Sequence, residues 1–311
     1  MRRARHAPRA ALLLVVLLAA ACGGAAEGEE GSSAASRAGG FPLEVAGTLI
    51  PAVPQRILSA SASHTEILYA LGAGEWVVAT DQFSNFPAEA AATPKLDAFN
   101  LGVESVASFD PDLVVLSYDP GDLRAGLAAL GIPTLLFGPP LTLEDAYAQM
   151  RALGVATGLR AEAEALVAQV SGEVERLVAG VPGREHPLTY YYELDPTLYS
   201  LTAQTFVGGL FALMGMENIA DAADAGASGY PQLSAEFILA ADPDFIFLAD
   251  TRCCGQSAAT VAERPGWAAL RAVAQGRVVA LDDDLASRWG PRLVDLLAVV
   301  AGAVGATGGG G

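Results

Sequence analysis

The sequence is poor in the residues that most often carry catalysis or hold metal ions. It contains only three histidines and three cysteines among 311 residues. His6 falls in the predicted leader described below, which leaves His64 and His186, far apart in the sequence. We expect both to be solvent-facing or helix-capping residues rather than ligands. So few imidazoles also disfavour a receptor for bare zinc or manganese ions.

Motifs of the common catalytic classes are missing as well. The sequence has no strand–GxxxxGK[ST]–helix phosphate loop and no GxSxG nucleophile elbow. Cys253 and Cys254 are adjacent, so they can close only a strained disulfide ring, which is uncommon. They cannot form a structural zinc site by themselves, and their redox state and role stay open. We therefore predict no catalytic residue, no metal site and no resident cofactor.

Positively charged residues are also few, with 18 Lys and Arg against 35 Asp and Glu. Four of the arginines lie within the first nine residues, ahead of the short apolar run Ala10–Ala21. This pattern is typical of a secretory signal, and the run is too short for a comfortable membrane span. Without that segment 14 basic and 35 acidic residues remain, a net charge of −21. Nucleic acid and anionic membrane surfaces are therefore disfavoured as partners.

The end of the apolar run carries a possible lipid attachment site. Leu18-Ala-Ala-Ala-Cys22-Gly resembles a bacterial lipobox, although Ala19 stands where that pattern usually has leucine. We predict a signal peptide at 1–21 and a flexible tether at 22–40 that begins with lipidated Cys22. The protein would then be extracytoplasmic and anchored to the cell membrane. The alternative is ordinary signal cleavage, with Cys22 incidental.

What the sequence does contain is a large supply of apolar residues, 52% of the chain, arranged in alternating strand and helix patterns. This alternation runs through 41–140 and again through 183–304. It predicts an α/β fold of two lobes, each with a mostly parallel sheet flanked by helices. Residues 141–182 read as connecting helices, and 305–311 as a disordered tail.

The centre of the chain carries the clearest helix pattern, Leu159–Val181. Its apolar residues recur three, four or seven positions apart, which predicts one long amphipathic helix of about 30 Å. On either side of it a glutamate, Glu104 or Glu236, stands six residues before an Asp-Pro-Asp triplet and an apolar strand. We interpret the chain as two similar halves around this helix; the alternative is chance recurrence of a common α/β turn.

Aromatic and polar residues cluster where the predicted strands end. In parallel sheets, ligands meet the loops beyond the carboxyl ends of the strands. Flat apolar faces with few polar handles suit a large conjugated ligand, although each aromatic could instead fill the core of its own lobe. Asp284 and Arg288 could bind a polar ligand edge or form a local surface ion pair. The candidate ligand-binding residues are Phe83, Tyr118, Tyr230, Asp284, Arg288 and Trp289.

Several segments, taken in order, resemble one family. These are RILSASASHTEILYALGAG, DQFSNFPAEA, DPDLVVLSYD, YPQLSAEFILAADPDFI, RPGWAALRAVAQGRVVALD and SRWGPR. Together they resemble the helical-backbone substrate-binding proteins of ABC importers, the group that carries cobalamin, ferric siderophores and haem. The resemblance extends from residue 41 to about residue 303. It implies two lobes joined by a single rigid helix.

Within that family the likeness is greatest to the cobalamin-binding members. It implies that Phe83, Tyr118 and Tyr230 hold the ligand by their rings, with Asp284 and Arg288 as polar contacts. One departure is that the tryptophan expected shortly before the first docking glutamate is absent, and Ala98 and Phe99 occupy that region. The transported ligand is therefore predicted to be a corrinoid, with a ferric siderophore or haem as the alternative.

The resemblance also gives the two glutamates a role. In this family one glutamate on each lobe docks into arginine pockets of the permease dimer, and Glu104 and Glu236 match by motif. Both could equally be first-turn helix residues favoured by the helix dipole. The sequence thus predicts a monomeric, lipid-anchored solute-binding protein, with a secreted α/β hydrolytic enzyme as the alternative from another class.

Overall fold

The structure is a computed structural model and describes residues 40–307. The predicted signal peptide, Cys22 and nearly all of the predicted tether lie outside the described residues, as does the end of the predicted tail. Among residues 40–307, no helix has the length and the apolar character needed to cross a bilayer.

The strands of this part of the chain are short. They are β1 Leu43–Val45, β2 Thr48–Ile50, β3 Ile57–Ala60, β4 Val77–Asp81, β5 Lys95–Leu96, β6 Leu113–Leu116, β7 Thr134–Leu136, β8 Leu188–Glu193, β9 Met216–Asn218, β10 Phe245–Leu248 and β11 Val278–Ala280. Of these, β3, β6 and β10 are buried at every residue. The α-helices are α1 Ala62–Ala70, α2 Ala88–Ala92, α3 Val103–Ala107, α4 Leu123–Ala129, α5 Leu143–Thr157, α6 Arg160–Ala179, α7 Phe206–Leu213, α8 Ala235–Ala241, α9 Ala258–Ala262, α10 Arg271–Ala274, α11 Asp283–Ser287 and α12 Leu293–Ala306.

Two parallel sheets form the lobes, as the sequence predicts. The N-terminal sheet has the order β5-β4-β3-β6-β7, and the C-terminal sheet has the order β11-β10-β8-β9. An antiparallel hairpin, β1-β2, precedes the first sheet. In each lobe the first strand lies beside the second on one flank and beside the strand after Asp-Pro-Asp on the other. The prediction of two similar halves is therefore confirmed at the level of topology.

The Asp-Pro-Asp triplets form equivalent turns and hydrogen bonds in both lobes. The first aspartate, Asp110 or Asp242, takes a left-handed conformation with φ of 49° or 44°, which turns the chain out of a short helix. The last aspartate, Asp112 or Asp244, accepts a backbone N–H at 2.9 Å from the chain that enters β3 or β8. Each triplet thus joins a helix end to the start of the central strand.

The connecting region contains two helices in series. Helix α6 spans Arg160–Ala179, so the predicted backbone helix is confirmed within two residues at each end. Helix α5 ends at Gly158, whose φ of 73° reverses the chain, and packs along α6. Residues of both lobes share one continuous apolar cluster with α6, which contributes Val167, Val170 and Val174. Packing of this kind favours small lobe motions over a wide hinge.

Two predicted elements differ from the structure. The pattern of Trp267–Ala272 predicts a single helix, but the structure has a 3-10 turn followed by α10, because Leu270 has ψ of 139° and interrupts the helix. Strand β9 was not predicted, since Met216, Glu217 and Asn218 show neither an apolar run nor a clear alternation. It nevertheless pairs in parallel with β8.

Candidate functional site

The N-terminal sheet contains a topological switch point. The chain moves from β3 outward to β4 and β5, then returns to the other flank through β6 and β7. Ligands of open α/β sheets bind at the carboxyl ends of the strands where the order reverses, which here means β3 and β6. A cavity of about 430 Å³ lies there, lined by Ser61 after β3 and by Ser117 and Tyr118 after β6.

Three aromatic side chains of this lobe face the cavity. Phe83, Phe99 and Tyr118 are 47%, 73% and 44% exposed. The rings of Phe83 and Phe99 meet edge to face, with centroids 5.6 Å apart. The hydroxyl of Tyr118 donates to the carbonyl of Ala98, which fixes the Tyr118 ring beside them. This apolar wall is open to a ligand, whereas aromatics of the core are fully buried.

Asp81, the last residue of β4, holds the loop that carries Phe83. Asp81 Oδ1 accepts the backbone N–H groups of Phe83 and Ser84 at 2.8 and 2.9 Å. Burial raises the pKa of Asp81, and these two hydrogen bonds act against that rise. Lys95 Nζ donates to the carbonyls of Ser84 and Ala90, and burial lowers its pKa. The exposed ring therefore sits on a buried, hydrogen-bonded base.

The opposite wall comes from α11 and the residues that follow it. Asp284, Arg288 and Trp289 line the same cavity as Phe83 and Tyr118. A second cavity, of about 640 Å³, contains Tyr230, which is 54% exposed. Trp289 lines both cavities, so it separates them. The six predicted ligand residues are thus brought to two adjoining cavities, each within the size range of small-molecule sites.

Arg288 is the polar centre of this wall, and it is only 5% exposed. Its guanidinium donates to Asp284 Oδ1 at 2.6 Å, to Glu66 Oε1 at 2.7 Å and to the Phe83 carbonyl at 2.7 Å. The Asp284 pair suggested by the sequence is present, but it is not a local surface pair. It forms part of a buried bridge from the C-terminal lobe to α1 of the N-terminal lobe. Direct contact between Arg288 and a ligand remains a prediction.

Helix α1 and the segment after α11 approach each other closely around Glu66. Its carboxylate accepts from Arg292 Nη2 at 2.6 Å as well as from Arg288. A Cβ on Gly290 would lie 3.0 Å from Glu66 Oε2 and 3.2 Å from the carbonyl of Ser63. Glycine at position 290 therefore lets the two lobes meet at this point. No sequence pattern points to Glu66, because its partners lie more than 200 residues away.

Trp289 is held in place by the connecting region. Its indole N–H donates to Gln149 Oε1 at 2.9 Å, and its backbone N–H donates to Ser63 Oγ at 3.2 Å. Gln149 Nε2 donates to the carbonyl of Gly138 at 2.8 Å, which orients the amide so that Oε1 faces the indole. The same Oε1 lies 3.0 Å from His64 Nε2. A helix of the connecting region thus positions the side chain that separates the two cavities.

His64 is buried, so the expectation of a solvent-facing or capping residue was wrong. It lies inside α1 with no exposed surface and contacts the rings of Phe137 and Trp289. Burial lowers its pKa to about 4, and the hydrogen bond to the Gln149 side-chain oxygen only partly offsets this effect. The imidazole is therefore neutral at pH 7, with the proton on Nε2 facing the Gln149 oxygen.

The C-terminal sheet has the equivalent switch point at the ends of β8 and β10, but charged groups fill it. Glu193 ends β8, and both of its carboxylate oxygens accept from Arg264 at 2.5 Å. Asp250 follows β10 and is fully buried, and neither oxygen of its carboxylate has a hydrogen-bond partner among the described residues. Burial, reinforced by the charge of Glu193, raises the pKa of Asp250 to about 7. Near neutral pH the Asp250 carboxyl is therefore protonated in part.

The two candidate docking residues occupy matching places. Glu104 and Glu236 are each the second residue of a short helix, α3 or α8. Each glutamate lies six residues before an Asp-Pro-Asp triplet. Both side chains are exposed, and neither forms an ion pair within residues 40–307. Ser234 caps α8 through its side chain, whereas Gly102 stands at the N-cap of α3. Each lobe thus presents one exposed carboxylate without an ion pair among the described residues.

A third cavity, of about 610 Å³, is lined by Glu66 and Arg292 but by none of the six candidate ligand residues. Phe86, Tyr69, Glu75 and Arg292 are among the residues that line it, and the Arg292 guanidinium sits 4.0 Å from the centre of the Phe86 ring. Phe86 therefore does not join Phe83 in the cleft. Within the described residues, no group of three or more His, Cys, Asp or Glu side chains is arranged to hold a metal ion.

The two similar lobes, the helical connection and the aromatic cleft at the strand ends define a class, the two-lobed solute-binding proteins. The chain belongs to the periplasmic binding protein family, which it matches over residues 57–285. It is an extracytoplasmic solute-binding protein for ABC transport. The fold predicted from the sequence and the family resemblance are both confirmed.

Relatives of the chain have been named for different ligands. It is 30% identical over 250 residues to YvrC of Bacillus subtilis, an uncharacterized ABC transporter substrate-binding lipoprotein, covering 78% of this chain and 77% of that one. It is 29% identical to a cobalamin-binding protein of Halobacterium salinarum, covering 86% and 76%. The periplasmic heme-binding protein RhuT of Roseiflexus sp. RS-1, solved in apo form, superposes with a TM-score of 0.71 at 28% identity, covering 80% and 99%.

Proposed function

We propose that the cleft around Trp289 captures a corrinoid such as cobalamin and that the protein delivers it unchanged to an ABC permease. The observation that carries this proposal is the pair of adjoining cavities lined by the exposed rings of Phe83, Phe99, Tyr118 and Tyr230. Exposed aromatic faces bind large flat ring systems through apolar contact and stacking. The similarity to the cobalamin-binding protein of Halobacterium salinarum supports the same ligand class.

The electrostatics of the cleft favour a ligand without strong negative charge. The one buried cation that lines the first cavity, Arg288, is already paired with Glu66 and Asp284. A ligand that brings carboxylates or an anionic iron complex would have to break those ion pairs before it gained a partner. Cobalamin presents mostly amide groups at the edge of its ring, which can hydrogen-bond to the cleft without displacing a charge.

Calorimetric titration of the protein with cobalamin, haem and several ferric siderophores tests the ligand choice. We expect saturable 1:1 binding of cobalamin and weaker or no binding of the anionic ligands. Heat from a siderophore alone, with none from cobalamin, would overturn the corrinoid assignment while leaving the transport role intact.

Haem is the second candidate, because the chain also resembles a heme-binding protein. A tyrosine oxygen can ligate haem iron, and Tyr230 is the most exposed tyrosine of the second cavity. Tyr230→Phe keeps the ring and removes the oxygen. A corrinoid that packs on the ring should bind this variant almost as well as the parent protein. Haem held through iron should lose most of its affinity and change its absorption spectrum.

Docking to the permease is assigned to Glu104 and Glu236. Exposed carboxylates that meet cationic pockets contribute orientation and association rate more than affinity. The double variant Glu104→Ala and Glu236→Ala should keep ligand affinity and reduce ligand uptake by cells. A suitable control replaces Glu162 and Glu175, two acidic residues of α6, by alanine. Unchanged uptake in the docking variant would contradict the assignment.

We further propose that lipidated Cys22 anchors the protein to the cell membrane and that it acts as a monomer. The named lipoprotein among its relatives supports the anchor. Cys22→Ser should release the protein into the soluble fraction, and continued membrane attachment would contradict the anchor. We expect binding without catalysis and without a resident cofactor. Turnover of ester or phosphate substrates by the purified protein would contradict this and support the alternative of a secreted hydrolytic enzyme.

A further inference from the structure

The turn after β10 carries two consecutive cysteines that the proposed transport role does not use. Cys253 and Cys254 are both exposed free thiols. Their sulfur atoms lie 2.6 Å apart. Both side chains therefore project from the same side of the turn, although neighbouring side chains usually diverge.

Hydrogen bonds hold the backbone of this turn on both sides. Asp283 accepts the backbone N–H groups of Arg252 at 3.0 Å and of Cys253 at 2.8 Å. The backbone N–H of Cys254 donates to the carbonyl of Asp250 at 3.2 Å. Because α11 on one side and the end of β10 on the other fix the turn, the closeness of the two sulfurs is a property of the fold.

The surroundings of Cys253 affect its protonation. The hydrogen bond with Cys254 and then burial raise the pKa of Cys253 to about 12, with a further contribution from the nearby charge of Asp283. Cys253 therefore keeps its proton near neutral pH. Since the thiolate is the nucleophile in disulfide exchange, Cys253 is disfavoured as the first attacker, and we assign the first attack to Cys254.

We propose that Cys253 and Cys254 form a reversible redox site that a small-molecule disulfide converts to a vicinal disulfide. The Cys254 thiolate attacks one sulfur of the oxidant, its S–S bond breaks, and the first small thiol leaves. Cys253 then loses its proton and attacks the Cys254 sulfur of the mixed disulfide, which expels the second small thiol. The protein loses two hydrogens, and the oxidant is reduced to two thiols.

Reversibility follows from the spacing of the two residues. Consecutive Cα atoms are about 3.8 Å apart, which is below the usual range of about 4.4–6.8 Å for disulfide-linked residues. The ring that closes is strained, and strained disulfides are more easily reduced. An exposed pair of this kind belongs to the labile disulfides and not to the structural ones.

The site lies next to the ligand cleft. The side chain of Arg252, the residue before the pair, donates to Asp284 Oδ2 at 2.9 Å. Asp284 in turn lines the first cavity and pairs with Arg288. Formation of the vicinal disulfide would change the backbone of the turn at Cys253, one residue away from the contact between Arg252 and Asp284.

Alkylation followed by mass spectrometry tests the proposal on the full chain. A Cys22→Ser background leaves only this pair to react. After treatment with oxidised glutathione and alkylation under denaturing conditions, we expect the loss of both alkylatable thiols and a mass lower by two hydrogens, without bound glutathione. Reduced glutathione should restore both thiols.

The variants Cys253→Ser and Cys254→Ser are the matched controls, and each should instead accumulate one glutathione adduct. The proposal is overturned if the intact pair keeps two alkylatable thiols throughout the glutathione series, or if it accumulates a stable adduct as the single variants do. A second measurement uses phenylarsine oxide, a probe for paired thiols. One equivalent should block both thiols of the reduced pair, and failure to do so would contradict the closeness of the sulfurs.

Discussion

The two lobes share one topology but differ at the switch point of the sheet, where the carboxyl ends of the central strands meet. At the switch point of the N-terminal sheet, β3 and β6 are followed by Ser61, Ser117 and Tyr118, and the position is open. At the switch point of the C-terminal sheet, β8 ends in Glu193 and β10 is followed by Asp250, and both are buried. The same crevice is open in one lobe and filled by a closed charge cluster in the other.

This difference shows that a repeated fold unit need not repeat its site. Small hydroxyl residues leave room beside the strand ends of the N-terminal lobe, so exposed rings can gather there. In the C-terminal lobe Arg264 and two carboxylates occupy that room, so Tyr230 and Trp289 approach the cleft from loops instead. The candidate ligand surface is therefore asymmetric even though the central strands of the two sheets have the same order.

The largest expected effect is the loss of the cation from the closed cluster. Arg264→Ala leaves Glu193 and Asp250 buried together without a counter-charge, so we expect the free energy of unfolding to fall by about 3–5 kcal/mol. Arg288→Ala should cost less, about 1–3 kcal/mol, because Arg292 still pairs with Glu66. Urea denaturation measures both. Arg176→Ala, which removes an exposed pair on α6, is the control and should change nothing measurable.

The pH dependence of stability should have opposite signs in the two lobes. His64 has a pKa near 4 when folded and 6.5 when unfolded, so the unfolded state binds more protons between these values and stability rises with pH. Asp250 has a pKa near 7 when folded and 3.8 when unfolded, so the folded state binds more protons and stability falls as pH rises. In the parent protein the two contributions oppose each other between about pH 4 and 6.5.

Single substitutions should separate these contributions. Asp250→Asn should leave a free energy of unfolding that increases from pH 4 to 6.5 by on the order of 3 kcal/mol, the contribution of His64. His64→Gln, which can still donate to Gln149, should leave one that decreases over the same range. Denaturation at several pH values reads out both slopes. Two variants with slopes of the same sign would contradict the assignment of these titrations.

A smaller effect is expected for the open aromatic wall. Phe83→Ala should weaken cobalamin binding by about 10-fold or more, which corresponds to about 1.4 kcal/mol, without much change in stability. Phe86→Ala is a closely matched control, because Phe86 lies three residues away, is 43% exposed and lines neither cavity of the cleft. Calorimetry compares the two, and equal affinities would remove the aromatic wall from the proposed site.

The smallest effect should come from the repeated triplets. Asp112→Asn weakens the charge-assisted bonds to the chain entering β3 and should cost about 1 kcal/mol. Asp244→Asn should cost somewhat more, since Asp244 also accepts from Arg271 Nη1 at 2.9 Å. Thermal and urea unfolding rank the pair, and the reverse order would contradict the extra contribution of the Arg271 contact.

Much of the fold follows from local sequence patterns. The periodicity of Leu159–Val181 locates α6, and the Asp-Pro-Asp triplets locate β6 and β10, because short-range geometry decides those elements. Strand β9 was missed since a three-residue strand carries too little pattern to detect. The break at Leu270 depends on a single backbone angle and leaves no compositional trace.

The site was predictable in its exposed parts and not in its buried ones. Phe83, Tyr118 and Tyr230 could be proposed as ligand contacts because aromatic residues after predicted strands are a visible signal, and their contact with a ligand remains a prediction. Glu66 and Gln149 gave no signal, since each acquires its role from partners that are far away in the sequence. His64 was misjudged for the same reason, as the groups that bury it come from α5, β7 and the segment after α11.

The fixed position of Trp289 has a consequence for spectroscopy. Its indole lines both cavities and is hydrogen-bonded to Gln149, whereas Trp267 is buried in the C-terminal lobe and lines neither cavity. Corrinoids and haem absorb strongly at the wavelengths where tryptophan emits. A bound pigment would therefore quench the emission of Trp289 by resonance energy transfer, so the protein carries its own fluorescent reporter of occupancy.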